Sequence, residues 1–125
     1  MIYKGSCHCQ AISFEVEAPE AVGVIECNCS ICQKSGFVHL IVPLEKFKLL
    51  KGEDNLSSYR FNTKVANHTF CKTCGIKPFY TPRSHPDGVS VNLNTLDTPI
   101  KKIKKENFDG QNWEQNASTL EHLSK

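Results

Sequence analysis

The sequence predicts a mainly β domain built from many short strands. Three observations carry this expectation: apolar residues alternate with polar ones in short runs, the runs are separated by tight-turn clusters such as "KGEDN" and "HPDG", and helical spacing is scarce. The clearest strand is "AISFEVE" from Ala11 to Glu17, where Ile12, Phe14 and Val16 fall on one face and Ser13, Glu15 and Glu17 on the other. Pro19 ends it.

Further strand-like runs follow at Val22 to Ile25, His39 to Val42, Phe47 to Leu50, Ser57 to Phe61, His68 to Phe70, Lys77 to Tyr80 and Val89 to Leu93. A short turn of helix is expected after Cys29. A short C-terminal helix is expected where Trp113, Ala117 and Leu120 fall at i, i+4 and i+7 behind Asn112 as a cap. The 125 residues contain no linker-like break, so residues 1–125 are read as one domain.

Composition excludes several classes. A hydrophobic content of 39% with 22% charged residues suits a chain that folds around a core. The net charge of +2 is too mild to point to nucleic acid, and the densest basic run, "KKIKKE" from Lys101 to Glu106, reads as a solvated segment. No window has the apolar length of a membrane span, and "MIYKGSCHCQ" lacks the apolar region of a signal peptide. The expected location is therefore a reducing cytosol or nucleus, and the sequons at Asn28, Asn55 and Asn116 carry no weight.

In such a compartment the seven cysteines do not pair as disulfides, and metal binding is the next reading. They fall in three groups: "CHC" at Cys7 and Cys9, "CNCSIC" at Cys27, Cys29 and Cys32, and "FCKTCG" at Cys71 and Cys74. Cys71 and Cys74, followed by Gly75, have the spacing of a zinc knuckle, in which one tight turn points two thiolates at one ion. A knuckle supplies two of four ligands. Either Cys7 with Cys9 or two of the middle group complete it, and spacing alone does not choose. Giving Cys7 and Cys9 to the knuckle leaves three cysteines together, the ligand count of a zinc site with an open position. The competing arrangement closes that second site with His8, His39 or His68 and leaves two structural ions. Three thiolates on a divalent ion sum to one negative charge, which disfavours hydroxide generation and suits a bound small thiol.

The pieces "GSCHC", "CNCSICQKSG", "HTFCKTCG" with "FYTPRS", and "FDGQNW" occur in the order seen in the glutathione-dependent formaldehyde-activating enzyme family, which includes centromere protein V. "FKLLKGEDNLSSYRFNT" and "FCKTCGIKPFYTPRSHPDG" most resemble the centromere protein V branch. The resemblance implies a zinc-bearing β-tent of packed antiparallel sheets and two zinc ions per chain. It assigns Cys7, Cys9, Cys71 and Cys74 to a structural zinc and Cys27, Cys29 and Cys32 to a catalytic one. The activity it implies is carbon–sulfur lyase-type chemistry on glutathione adducts such as S-hydroxymethylglutathione. A zinc-stabilised binding module or a glutathione carrier is the alternative.

The family pattern has Gly directly after the first C-x-C, whereas this chain has Gln10, so that turn is made without the residue that accepts positive φ freely. The basic, Pro-rich N-terminal extension of centromere protein V is absent, and no chromosome role is carried over. Lys34 and Arg83 are the candidate partners for the carboxylates of a glutathione-like thiol. His8 is expected to face solvent, His39 and His68 to be partly buried, and Trp113 to cover the core.

Overall fold

A computed structural model describes residues 1–60, 66–82 and 87–108. Ten strands and one short helix follow in order: β1 (Ile2–Ser6), β2 (Ser13–Glu17), β3 (Ala21–Cys27), α1 (Ser30–Ser35), β4 (Val38–Pro43), β5 (Phe47–Lys51), β6 (Leu56–Tyr59), β7 (His68–Cys71), β8 (Phe79–Tyr80), β9 (Gly88–Asn92) and β10 (Lys102–Phe108). They form a three-stranded sheet in the order β1-β2-β5, a five-stranded sheet in the order β10-β3-β4-β9-β8, and the β6–β7 hairpin. The mainly β expectation holds, and each predicted run contains a strand, although in the run from Lys77 to Tyr80 only Phe79 and Tyr80 are paired. The expected C-terminal helix and Trp113 lie outside the described residues. None of the described helices is long and apolar enough to cross a membrane.

The alternation read from the sequence decides which way β2 faces. Phe14 and Val16 are fully buried, with Ile12 just before them, and Glu17 is exposed. Two strands escaped the pattern. In β1 only Tyr3 and Gly5 point inward, too few apolar side chains to show a period. Gly5 pairs with Phe14, and a Cβ there would run into the Phe14 ring, so the small residue makes room for the large one.

The two larger sheets meet through aromatic rings. Phe14 of β2 and Phe47 of β5 stack with centroids 5.5 Å apart, and Phe79 of β8 packs on both, 5.9 Å from Phe14 and 4.6 Å from Phe47. Such pairs add about 1 kcal/mol beyond the burial of the rings. Around them Val24, Leu40, Val42, Val89 and Val91 complete one continuous core that also contains Cys7 and Cys71. β9 is buried along its whole length because β4 and β8 flank it.

The second unforeseen strand is β10, which contains most of "KKIKKE". It pairs with β3 in parallel, the one departure from antiparallel pairing among the described strands, and is exposed along its length until Phe108. The basic run is therefore solvated as expected, but as a sheet edge. Lysines on an edge disfavour pairing with another chain. Phe108 packs on Ile25 and Cys27, and its carbonyl accepts a hydrogen bond from the Asn28 N–H at 3.2 Å, which ties the end of β10 to the middle cysteine group.

Gly52, between β5 and β6, has φ of 97°, and a Cβ on it would strike the Ala11 carbonyl and Ile12. Gly52→Ala is expected to destabilise the fold by about 2–3 kcal/mol, combining left-handed strain with a backbone clash. The urea midpoint of the metal-loaded protein measures it.

Candidate metal centres

The fold divides the seven cysteines into two clusters. The sulfurs of Cys7, Cys9, Cys71 and Cys74 lie within 4.8 Å of one another, and so do those of Cys27, Cys29 and Cys32. The pairing that spacing left open is thus resolved by geometry: the β1–β2 turn meets the turn after β7.

In the four-cysteine cluster Cys7 and Cys9 Sγ are 3.7 Å apart and Cys9 and Cys71 Sγ 3.6 Å. A tetrahedral ion with metal–sulfur bonds of zinc length needs sulfurs about 3.8 Å apart, so these separations suit zinc. Each pair sits on a tight turn. Gln10 N–H donates to the Cys7 carbonyl at 3.1 Å, and Gly75 N–H to the Cys71 carbonyl at 2.9 Å. Gly75 takes the left-handed φ of 77° that closes the knuckle. Gln10 takes φ of 66°, the one non-glycine residue with positive φ among those described. The turn after Cys9 is therefore left-handed without a glycine, at a cost of about 1–2 kcal/mol.

Donors surround these sulfurs. Ile12 N–H points at Cys7 Sγ at 3.4 Å, Cys74 N–H at Cys71 Sγ at 3.5 Å, and Asn55 Nδ2 donates to Cys71 Sγ at 3.2 Å and to Thr73 Oγ1 at 3.2 Å. With protons alone the set is uneven. Burial works to raise the Cys71 thiol, but the N–H groups of Cys74 and Thr73 and the thiols of Cys9 and Cys74 bring it down to about 6. The Ala11 N–H pulls Cys9 down, yet burial and proton sharing with Cys71, Cys7 and Cys74 push it up to about 11. A divalent cation held by Cys7, Cys9, Cys71 and Cys74 would remove this inequality by favouring all four as thiolates. Asn55 was invisible in the sequence, because its role depends on the carbonyl and amide it aligns beside β7: its own carbonyl accepts from Lys72 N–H at 2.9 Å.

The three-cysteine cluster sits where β3 runs into α1. Cys27 ends β3, Cys29 caps α1, and Cys32 is buried inside it. The turn of helix expected after Cys29 forms as α1, and it supplies one of the three cysteines. Gln33 N–H bonds the Cys29 carbonyl at 3.0 Å, and Gly36 closes the helix in the left-handed region, so the three sulfurs are held on one short turn. The Cys27 and Cys32 thiols and the Cys32 N–H hold Cys29 far below the ordinary thiol range, while the same contacts drive Cys32 up. Cys29 is the sulfur that carries the charge first.

His39 approaches this cluster without joining it. Its Nε2 is 3.2 Å from Cys32 Sγ, a hydrogen-bond distance, and it is not within 4.8 Å of the whole set. Its Nδ1 is 2.8 Å from Ser90 Oγ and 3.3 Å from the Tyr80 hydroxyl. Burial, with Lys77 adding to it, lowers the His39 pKa to about 3, so the ring is neutral. With Cys32 as a thiolate, Nε2–H donates to sulfur and Nδ1 accepts from the hydroxyls, the arrangement of an outer-shell support. His68 is buried on Tyr80, ring centroids 4.8 Å apart, and His8 is exposed. Among the described residues no histidine completes a fourth ligand position.

A cleft of about 560 Å³ opens on the cluster, lined by Cys27, Asn28, Cys32, Phe37 and Phe108 among others. Lys34 faces a separate cleft of about 460 Å³ with Ser30, Ile31, Ser35 and Tyr59. Arg83 lies outside the described residues.

Two outcomes follow from this geometry. Gln10→Gly is expected to raise stability by about 0.5–1 kcal/mol, because relief of left-handed strain exceeds the added chain entropy; a lower urea midpoint would contradict it. Asn55→Ala is expected to weaken metal retention by the four-cysteine cluster about tenfold in chelator competition, leaving the three-cysteine cluster unchanged.

The family model described as "Glutathione-dependent formaldehyde-activating enzyme" matches residues 2–115. A protein of Halomonas elongata whose name carries the same enzyme designation is 29% identical over 110 residues, covering 82% of this chain and 70% of the relative. A crystal structure of a Rhodobacter sphaeroides protein superposes with a TM-score of 0.72 at 33% identity, covering 82% of this chain and 99% of that one. With the matched model spanning nearly the whole chain and the fold shared, the chain belongs to the glutathione-dependent formaldehyde-activating enzyme family.

Proposed function

We propose that the chain is a zinc-dependent enzyme of carbon–sulfur lyase type that joins a thiol, glutathione in the first instance, to formaldehyde and reverses that step. The observation that carries this reading is the division of the cysteines into a set of four and a set of three, the second facing a cleft. A set of four thiolates closes a zinc ion and serves the fold. A set of three leaves one position for an exogenous ligand.

The residues present fit zinc at both places: all donors are cysteine sulfurs grouped within 4.8 Å of one another, and in the set of four N–H groups point at Cys7 and Cys71. Bound by Cys27, Cys29 and Cys32, zinc supplies one thing, a thiol held as its thiolate at neutral pH. The chain does the rest. His39 orients Cys32, Phe37 and Phe108 shield one wall of the cleft from water, and the β3–α1 turn keeps the three sulfurs converged.

The reaction balances without an oxidant. The thiol sulfur forms a bond to the carbonyl carbon, the C=O π bond breaks, and the thiol proton ends on the new hydroxyl oxygen. In reverse the hydroxyl proton leaves and the carbon–sulfur bond breaks. In this reading Lys34, on the neighbouring cleft, and Arg83 remain the candidate cations for the carboxylates of glutathione, and a reducing compartment keeps the three thiolates from oxidation.

Cobalt substitution tests the assignment. Two ions per chain are expected, with one set of bands shifting on addition of glutathione, and Cys32→Ser should bind a single ion that ignores the thiol while the fold persists. Turnover above the uncatalysed rate should fall at least a hundredfold in Cys32→Ser. Full turnover in that variant would overturn the enzyme reading, and two ions indifferent to glutathione in the unaltered protein would point instead to a binding module.

A further inference from the structure

Behind the three-cysteine cluster lies a cation that the reaction described above does not use. Lys77, three residues past the knuckle, is half-buried, and its Nζ lies 2.7 Å from His68 Nδ1, 3.8 Å from the centre of the Tyr80 ring and 5.0 Å from that of Phe37. Among the described residues it has no carboxylate partner. A half-buried ammonium held by two ring faces and a neutral imidazole is costly unless an anion sits nearby.

The nearest anionic chemistry is the cysteine cluster. Tyr80, on whose face the ammonium rests, reaches His39 through its hydroxyl, and His39 reaches Cys32 Sγ. Phe37, the second ring under Lys77, shares the wall of the open cleft with Cys27 and Cys32. The backbone holds the lysine in place on both sides: Cys71 N–H bonds the Ile76 carbonyl at 2.9 Å, and Asn92 Nδ2 bonds the Lys77 carbonyl at 3.1 Å. The closed cluster therefore positions a cation for the open one.

We propose that the Lys77 ammonium is the specificity-determining charge of the three-cysteine site, the group that makes an anion, and a thiolate above all, the favoured fourth ligand over a neutral one. The proposal rests on the reading of that site as an open metal centre. Three thiolates on a divalent ion already sum to one negative charge, so a further anion is repelled unless a cation offsets it. One ammonium brings the site to neutrality before the thiolate enters. Burial lowers the Lys77 pKa to about 8 against the fields of Cys32 and Cys29, so the group stays charged at neutral pH.

The experiment uses cobalt-loaded full-length protein and compares Lys77→Met with the unaltered chain and with Lys77→Arg, which keeps the charge. Visible bands report the binding of three probes: thiocyanate, an anion; imidazole, a neutral ligand; and glutathione. Lys77→Met is expected to bind thiocyanate and glutathione about tenfold more weakly, with imidazole within twofold of the original, and Lys77→Arg is expected to recover most of the loss. The bands of the four-cysteine cobalt serve as the control for folding, and Lys77→Gln replaces Lys77→Met if those bands change. Equal thiocyanate affinity in the charge-deleted and unaltered proteins would overturn the proposal, as would an equal loss of thiocyanate and imidazole. Lys77-dependent thiocyanate binding with no response to glutathione would support the charge assignment and refute the thiol substrate, whereas no response to any probe would refute the open site and the proposal with it.

Discussion

Four sulfur atoms within contact distance of one another form the constraint on which the rest of the fold depends. They come from two turns far apart in sequence, one after β1 and one after β7, and as thiolates they repel. A divalent cation would turn that repulsion into a cross-link between the two segments. Cys7 and Cys71 are buried within the main core, so the cross-link and the core form together. The β1–β2 pair, the β6–β7 hairpin and the lysine that follows the knuckle are all referred to this one point.

The two clusters differ in what surrounds them. In the four-cysteine set backbone N–H groups and the Asn55 amide point at the buried sulfurs of Cys7 and Cys71, while Cys9 is exposed. The three-cysteine set is backed on one side by His39, Ser90 and Tyr80 and opens on the other to a cleft. Similar thiol sets thus stand in different settings: one joins two turns beside the main core, and the other opens on a cleft.

Much of the fold and the pairs of cysteines that cluster were legible in the sequence, because both depend on short-range patterns. Alternation in β2 and the C-x-C and C-x-x-C spacings act over a few residues, so they can be read without knowing what packs against them. Choosing between ligand pairings was not local, and only the meeting of the two turns decided it. β1 and β10 were missed for a related reason. The first has a glycine where its pattern needs an apolar side chain, and the second is an exposed edge whose partner, β3, lies far back in the chain. Asn55, His39 and Lys77 act through tertiary neighbours, and no spacing rule marks them. The turn at Gln10 was the converse case, a deviation visible in the sequence whose backbone consequence the structure confirms.

The parallel pairing of β10 with β3 has a consequence for the order in which the molecule is made. The strand that carries Cys27 emerges early in synthesis, but the strand that covers its flank and ties down Asn28 is among the last described. A nascent chain can therefore assemble its four-cysteine cluster once the knuckle has emerged, while the floor of the three-cysteine cluster waits for β10. Topology would stage any metal capture: the four-cysteine cluster can assemble first, and the three-cysteine cluster is completed only on a domain that already holds its shape.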